Sequence, residues 1–168
     1  MTDAVLDTPL STFIQVAEVW LPEGDRLVLG AGSYGTLHDF AAVSDRQSFA
    51  KGEGLPGRAW AEARPVVLKD LSDGSFLRAE AAATAGLTSA VAVPVFAGEV
   101  LKAVLVVLCG DDGARTGAIE VGAEADGLLT LDDGYYGAAK QFEWVSQHTT
   151  FPRGQGLPRG GHGRAAAP

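Results

Sequence analysis

Three consecutive stretches decide the fold of this chain: GEGLPGRAW at 52–60, RPVVLKDL at 64–71 and FLRAEAAATAGLTSAVAVPVF at 76–96. The glycines and the proline of the first stretch predict a tight turn that leads into a helix over 56–63. That helix must end before Pro65, because the residue that precedes a proline avoids helical backbone angles. A short strand, a second helix and a long apolar strand follow. This order predicts an α+β fold in which short helices cross a mainly antiparallel sheet.

The elements around this stretch complete the predicted sheet. Alternating or β-rich segments predict strands at 12–22, 26–30, 37–44 and 65–71. Ser75 is predicted to cap a helix over 76–85. The apolar runs at 89–96 and 100–109 predict a β-hairpin, and their continuous apolar character predicts that both faces of the hairpin are covered.

The motifs Gly-Leu-Pro-Gly-x-x-Trp, x-Pro-x-x-x-x-Asp-Leu and Ala-Gly-Leu, in this order, resemble those of a GAF domain over roughly residues 15–109. The resemblance implies a five- or six-stranded antiparallel sheet with a ligand pocket between one face and the crossing helices. It also implies a small-molecule sensor or dimerisation module, of the kind that is attached to kinases, cyclases or transcription regulators.

Residues 17–60 recur without a gap at 119–162. The identical pairs include Glu18/Glu120, Val19/Val121, Gly32/Gly134, Tyr34/Tyr136, Gly35/Gly137, Phe40/Phe142, Val43/Val145, Ser44/Ser146 and Phe49/Phe151, and the pattern Gly-x-Gly-Leu-Pro at 52–56 recurs at 154–158. A period near one hundred residues indicates a duplicated domain rather than a solenoid, whose units span about 20–50 residues. The repeat predicts a GAF-like domain at 12–110, the N-terminal half of a second at 117–158, and a tail at 159–168.

The half-copy is predicted to contribute extra strands without helices to cover them. We expect these strands to pair beside the strand at 100–109 or to form a dimer interface, because exposed strand edges invite pairing. The tail at 159–168 has no large apolar side chain and is predicted to be disordered. A shifted reading frame starting in the codon of Arg159 can encode Gly-Arg-Ala-Trp-Ala, so we interpret the tail as a frameshifted end of a once longer gene.

The composition excludes several classes of protein. A net charge of −8 argues against nucleic-acid binding, which needs clustered Lys and Arg. No apolar run reaches the 18 residues or more that indicate a membrane span, and the acidic N-terminus does not resemble a secretory signal. With a single cysteine, no intramolecular disulfide can form, which favours a cytoplasmic location.

No catalytic or metal-binding motif is found in the sequence. The glycine-rich segment at 52–57 lacks the Lys-Ser/Thr pair of a P-loop and is interpreted as a turn. Cys109 ends an apolar strand without a basic neighbour, so it is interpreted as a core residue. The GAF-type proteins that reduce methionine sulfoxide need several cysteines, and this chain has a single one. The three histidines, His38, His148 and His162, show no metal-ligand spacing. The sequence therefore predicts no catalytic residue, no metal site and a protein that is not an enzyme.

The candidate ligand-binding residues are Phe49, Trp60, Asp70, Phe76 and Arg78. The resemblance implies that the helix with Trp60 and the segment with Phe76 and Arg78 face the pocket. An aromatic wall with one guanidinium suits a small anionic or planar ligand. The alternative is a filled core in which Arg78 pairs with Asp70 or Asp73.

Together these observations predict a cytoplasmic, non-catalytic GAF-type sensory or regulatory module of signal transduction. It is expected to bind a small molecule, to form a homodimer, or both, and to act on a separate kinase or regulator. Neither a nucleic-acid nor a membrane partner is expected, and no cofactor is identified. The alternative is a truncated structural or vestigial assembly protein that binds no ligand.

Overall fold

The computed structural model describes residues 12–112, 116–153 and 155. In chain order, its elements are β1 (Ile14–Glu23), β2 (Arg26–Ser33), α1 (His38–Asp45), β3 (Ser48–Ala50), α2 (Gly54–Glu62), β4 (Val66–Leu68), α3 (Ala79–Thr84), β5 (Ser89–Ala97), β6 (Val100–Cys109), β7 (Ile119–Ala125), β8 (Leu128–Tyr135), α4 (Lys140–Gln147) and β9 (Phe151–Pro152). We call residues 14–109, from β1 to β6, the first unit, and residues 119–152, from β7 to β9, the second unit.

The strands of the first unit form one six-stranded antiparallel sheet in the order β3-β2-β1-β6-β5-β4. The predicted α+β fold with a five- or six-stranded sheet is therefore confirmed. Its two long hairpins, β1–β2 and β5–β6, turn at Gly24 and Gly98, which have φ angles of +63° and +61°. Glycine accepts this left-handed backbone region without the steric cost that a Cβ atom imposes.

One face of the sheet carries the core of the first unit. Along β6, the side chains of Val104, Val106 and Leu108 are fully buried against the helices, whereas Leu105 between them is 41% exposed. Val95 on β5 is also 41% exposed and lies on the same outer face. The prediction that both faces of this hairpin are covered is wrong, because apolar residues on the outer face conceal the alternation that marks a half-exposed strand.

Residues 37–44 form helix α1 rather than the predicted strand. Phe40 and Ser44 are both buried, at the i, i+4 spacing that brings residues to one face of a helix. The Ser44 hydroxyl donates a hydrogen bond of 2.9 Å to the Phe40 carbonyl oxygen. A short apolar segment suits either a strand or a helix, and here the packing of Phe40 decides in favour of the helix.

Helix α3 is shorter than predicted and is not capped by Ser75. It begins after Arg78, which stands at the N-cap position without a side-chain cap hydrogen bond. The Ser75 hydroxyl instead donates to the Asp73 carboxylate over 2.6 Å, and the Ser75 N–H donates to the same oxygen over 2.8 Å. This local turn competes with helix formation and holds Phe76 and Arg78 outside the helix proper.

Helix α2 matches the prediction closely and ends at Glu62, before Pro65. The glycines that precede it form the predicted tight turn, with φ angles of +88° at Gly52 and +59° at Gly54. Gly57, in the first turn of the helix, is required for a different reason. A Cβ atom at this position would lie only 2.2 Å from the Ala50 carbonyl oxygen, so β3 approaches α2 too closely for any side chain.

The second unit forms its own three-stranded sheet in the order β7-β8-β9, with helix α4 beside it. The prediction that its strands pair beside residues 100–109 is wrong, because β1 and β5 already occupy both edges of β6. The prediction of strands without a helix is also wrong, since α4 accompanies them. The two units contact each other through ion pairs between Lys69 and Asp133 at 2.9 Å and between Arg64 and Asp132 at 3.7 Å.

The described helices are short, and the longest, α2, has nine residues. None of the helices within the described ranges is long and apolar enough to cross a bilayer, which takes about 20 residues. The predictions of disorder and of a shifted frame at 159–168 concern residues outside the described ranges.

Candidate functional site

A buried ion pair between Glu18 and Arg78 lies at the centre of the first unit. The two guanidinium Nη atoms lie 2.6 and 3.0 Å from the two carboxylate oxygens, and both side chains are 0% exposed. The carboxylate also accepts hydrogen bonds of 2.9 Å from the Trp20 indole and from the Tyr34 hydroxyl. Arg78 Nη1 donates a further bond of 2.6 Å to the Ser44 hydroxyl. Two buried charges are thus matched bidentately and hydrogen-bonded to their neighbours.

Four aromatic rings surround the guanidinium. Their centroids lie 5.0 to 5.8 Å from Arg78 Cζ and belong to Phe40, Phe76, Trp20 and Phe49. These distances are within the range of cation–π attraction, which strengthens where water is excluded. The rings and the ion pair together form what we call the arginine cluster, defined by Glu18, Trp20, Tyr34, Phe40, Ser44, Phe49, Phe76 and Arg78.

The residues of this cluster come together because of the regular side-chain spacing of strands and helices. Glu18 and Trp20 are two residues apart on β1 and therefore point to the same face of the sheet. Phe40 and Ser44 are four residues apart on α1 and share one face of that helix. Arg78, at the start of α3, reaches both, so the cluster ties the central strand to two helices.

Tyr34 serves the cluster as a hydrogen-bond donor. Burial, and then the negative charge of Glu18, raise the pKa of its hydroxyl from 10.0 to about 12. The phenol therefore stays protonated throughout the neutral range and can keep donating to the Glu18 carboxylate.

A groove of about 500 Å³ runs between α1 and α3, beside the arginine cluster. Apolar side chains that line it include Leu37, Phe40, Val43 and Leu77, and ionisable ones include His38, Asp39 and Glu80. Arg78 also lines the groove, and its buried Nε atom has no hydrogen-bond partner among the described residues. The Arg78 side chain is 0% exposed, so this donor is covered in the folded chain.

The structure brings three of the five candidate ligand-binding residues together. Phe49, Phe76 and Arg78 belong to the arginine cluster and are 1%, 3% and 2% exposed. Trp60 is half-buried on α2 and lies 6.0 Å below the Lys51 ammonium, outside the cluster. Ligand contact by these residues stays a prediction.

Asp70 lies in a different place from the other candidates. It lines a separate cavity of about 330 Å³ and accepts hydrogen bonds from the hydroxyl and the N–H of Ser72, which lower its pKa. The alternative in which Arg78 pairs with Asp70 or Asp73 is wrong, because Arg78 pairs with Glu18.

The partners of Arg78 were not predicted from the sequence, although the internal repeat contains information that points to them. Glu18, Tyr34, Phe40, Ser44 and Phe49 are all among the residues that recur 102 positions later. Each of them is a member of the arginine cluster. Identity within the repeat therefore includes Glu18 and Ser44, the two hydrogen-bond partners of the guanidinium, neither of which lies in the short motifs.

Cys109 is buried at the end of β6, and burial raises the pKa of its thiol to about 11. The thiolate is the reactive form of cysteine, so this thiol is unreactive at neutral pH in the folded chain. Across residues 12–112, 116–153 and 155, no three His, Cys, Asp or Glu side chains are grouped so that they could hold a metal ion.

A six-stranded antiparallel sheet, with short helices on one face and a groove between two of them, defines the class of GAF-like α+β domains. Residues 1–124, which are more than half of the chain, match the family model described as the GAF domain. The chain therefore belongs to the GAF domain family. No curated protein sequence matches it significantly.

Several solved structures resemble this chain at low sequence identity. A GAF domain of A. aeolicus in an inactive state is 18% identical with a TM-score of 0.47, and 59% of each chain is covered. The free methionine-R-sulfoxide reductase of Neisseria meningitidis, in complex with its substrate, is 21% identical with a TM-score of 0.45, over 57% of this chain and 52% of that one. The type II enzyme of Thermoplasma acidophilum is 19% identical with a TM-score of 0.46, over 60% and 64%. The chain thus spans between half and two thirds of the length of these proteins.

The prediction that this chain is not an enzyme is wrong as an inference from its fold. The structures with a similar fold include free methionine-R-sulfoxide reductases from three species, so GAF-fold proteins comprise enzymes as well as sensors. Fold and function are separable, and membership of this family does not make a protein non-enzymatic.

Proposed function

We propose that this chain is a sensory or regulatory GAF domain that binds a small molecule in the groove between α1 and α3. The observation that carries the proposal is the groove of about 500 Å³ itself, whose lining is mainly apolar and includes Leu37, Val43 and Leu77. A concave, mainly apolar site with few polar groups is typical of small-molecule binding.

The charges around the groove favour a neutral, planar ligand over an anion. The positive charge of Arg78 is already matched by Glu18, with both side chains fully buried. Asp39 and Glu80 add negative charge at the groove itself. A neutral ligand with an apolar ring that packs on Leu37 and Leu77 fits these surroundings.

Ligand binding in this groove has a direct route to the rest of the domain. The groove lies between α1 and α3, and the arginine cluster connects both helices to β1, the central strand next to β6. A ligand that contacts both helices favours the conformation in which they are held together. Signal transfer then requires only that a partner prefers that conformation.

A thermal-shift screen of the whole chain with neutral heterocycles, nucleobases and aromatic amides tests this proposal. Binding to the folded state alone stabilises it by about 2.7 kcal/mol at a hundredfold excess over Kd. Thr84 lines the groove, and its neighbour Ala83 lines the separate cavity of Asp70. We expect Thr84→Trp to abolish a ligand-induced shift and Ala83→Trp to preserve it. The reverse result would move the ligand to the other cavity and contradict the proposal.

Assembly is a second candidate function, favoured by the uncovered face of the six-stranded sheet. Leu21, Val95 and Leu105 lie on this face and are each 41% exposed. Exposed apolar patches on a folded domain mark interaction surfaces. We propose a homodimer through this face, with a separate kinase or regulator as the alternative occupant. Sedimentation of the chain and of Leu105→Glu tests it: the dimer should dissociate in the variant, whereas a monomeric parent chain would contradict it.

We also propose that residues 117–158 are the N-terminal half of a second GAF-like domain. The bounds of β8 and α4 lie 102 positions after those of β2 and α1. The pairing of Tyr136 with Glu120 repeats that of Tyr34 with Glu18. These parallels in both order and contacts support an origin by duplication.

A further inference from the structure

An open cavity of about 380 Å³ lies between the sheet and α4 of the second unit. Its walls are mainly apolar, with Leu129, Leu131, Phe142, Val145 and Phe151 among the lining residues. One carboxylate, that of Glu120, also lines the cavity. An acidic group in an apolar, aromatic-lined cavity favours a cationic ligand.

Glu120 shares one hydrogen bond, that from a tyrosine hydroxyl, with the carboxylate of the arginine cluster. It accepts a hydrogen bond of 3.0 Å from the Tyr136 hydroxyl, and Glu18 accepts one of 2.9 Å from Tyr34. The Tyr136 ring lies 5.9 Å from that of Phe142. The carboxylate of Glu120 is therefore oriented before any ligand arrives.

Four residues of this cavity stand 102 positions after four residues that contact the Arg78 guanidinium. These pairs are Glu18 and Glu120, Phe40 and Phe142, Ser44 and Ser146, and Phe49 and Phe151. In the first unit they supply the carboxylate, the hydroxyl and two of the aromatic rings. Within the described residues of the second unit, no Lys or Arg forms an ion pair with Glu120.

Gly122 also lines the cavity. It stands where the first unit has Trp20, whose indole donates to Glu18 Oε2 over 2.9 Å. Without that indole, the second oxygen of Glu120 lacks the donor that its counterpart has. A Cβ atom at Gly122 would lie 3.0 Å from Cδ1 and Cγ of Leu129, so the Leu129 side chain would have to shift to admit it.

We propose that this cavity is a binding site for the guanidinium group of a small molecule such as arginine or an alkylguanidinium. The planar cation forms a bidentate pair with Glu120 and donates to Ser146, while Phe142 and Phe151 provide cation–π contacts. The aliphatic part of the ligand packs on Leu129 and Val145. A flat five-donor cation suits this set of groups better than the compact ammonium of lysine does.

The site is distinct from the groove between α1 and α3, since the two share no lining residue. Glu120 is exposed, so water and salt screen its charge and binding weakens as the ionic strength rises. The net charge of −8 favours a cation over an anion at long range.

Titration of the whole isotopically labelled chain, followed by its amide NMR signals, tests the proposal. The probes are arginine, its neutral isostere citrulline, lysine, and ethylguanidinium. Arginine and ethylguanidinium should shift the signals of Phe142, Ser146 and Thr149, and lysine should bind at least fivefold more weakly. Citrulline should have no effect at the same concentration. Equal shifts with citrulline, or none with arginine, would overturn the proposal.

Variants separate the cavity from general charge effects. Glu120→Gln, which can still accept from Tyr136, should weaken arginine binding at least tenfold. Glu124→Gln makes the same charge change at an exposed position of β7 outside the cavity and should leave binding unchanged. Gly122→Trp restores the indole and should also weaken binding, which provides a test should Glu120→Gln disturb the fold. Equal losses in Glu124→Gln and Glu120→Gln would contradict the site.

A last arm identifies the source of the guanidinium. The peptide Ala-Arg-Ala presents the same side chain without the free amino and carboxyl groups of arginine. Weaker binding of the peptide than of arginine supports a free small molecule. Tighter binding of the peptide would overturn the assignment to a small molecule and place a protein side chain in the cavity.

Discussion

Glu18 and Arg78, separated by 60 positions in the sequence, form a bidentate ion pair at 2.6 and 3.0 Å with both side chains fully buried. The pair joins the central strand β1 to the start of α3, and Ser44 extends it to α1. Burying two charges costs free energy, which close geometry and additional hydrogen bonds offset. The fold of the first unit is therefore sensitive to the loss of either partner.

Arg78→Met is expected to destabilise the chain by about 3–5 kcal/mol, because it leaves the Glu18 carboxylate buried and unpaired. Urea unfolding followed by circular dichroism measures this change. Arg64→Met, at an arginine that is 59% exposed, should cost less than about 1 kcal/mol. The double variant Glu18→Leu/Arg78→Met should be more stable than Arg78→Met alone. A single variant as stable as the parent chain would refute the importance of the pair.

Alkaline pH is expected to weaken the fold through Tyr34. Its pKa is raised in the folded chain to about 12 from 10.0, so the folded state favours the protonated phenol. The resulting stabilisation is complete below pH 10 and is lost as the pH rises from 10 towards 12. Urea unfolding at pH 9 to 11.5 should show a slope that Tyr34→Phe reduces. An unchanged slope in Tyr34→Phe would assign the pH dependence to other groups.

The Cys109 thiol is expected to react slowly with a disulfide reagent at pH 8 in the folded chain. Burial raises its pKa to about 11, so little thiolate is present and access is blocked. In denaturing urea the same thiol should react at the rate of a free cysteine. The measurement is the absorbance of the released thiolate, and equal rates in both states would contradict a buried thiol.

Gly57→Ala is expected to destabilise the chain by about 1–3 kcal/mol through overpacking. The new Cβ atom would meet the Ala50 carbonyl oxygen at 2.2 Å, and a backbone atom cannot move aside as a flexible side chain can. Arg58→Ala, one position along α2, supplies the control and should change stability by less than about 0.5 kcal/mol. Thermal unfolding compares the two, and a neutral Gly57→Ala would mean that β3 and α2 are not in close contact.

Much of the fold was predictable because its signals are local. The hairpin of β5 and β6 and helix α2 follow from apolar runs and from Gly and Pro positions within a few residues of each other. Helix α1 was not predictable in this way, because its short apolar segment fits the two-residue period of a strand as well as the 3.6-residue period of a helix. Only the burial of Phe40 and Ser44 on one side distinguishes them.

The candidate site was predictable in three of its residues but not in its pairing. Phe49, Phe76 and Arg78 were predicted to contact a ligand, and the alternative prediction paired Arg78 with the nearby Asp70 or Asp73. Those two carboxylates instead accept hydrogen bonds from Ser72 and Ser75 in local turns. The actual partner, Glu18, precedes Arg78 by 60 positions, and short-range spacing carries no information about such a contact.

By itself the sequence determined the family, the antiparallel α+β class and the existence of an internal repeat, because these depend on periodicity and on the order of motifs. Only the tertiary structure decided which carboxylate meets Arg78, where the groove opens, and that the second unit forms a sheet of its own. The physical reason is that desolvation and packing act between residues that are distant in the chain. Their outcome depends on how the whole sheet is ordered, with β6 closed on both edges by β1 and β5.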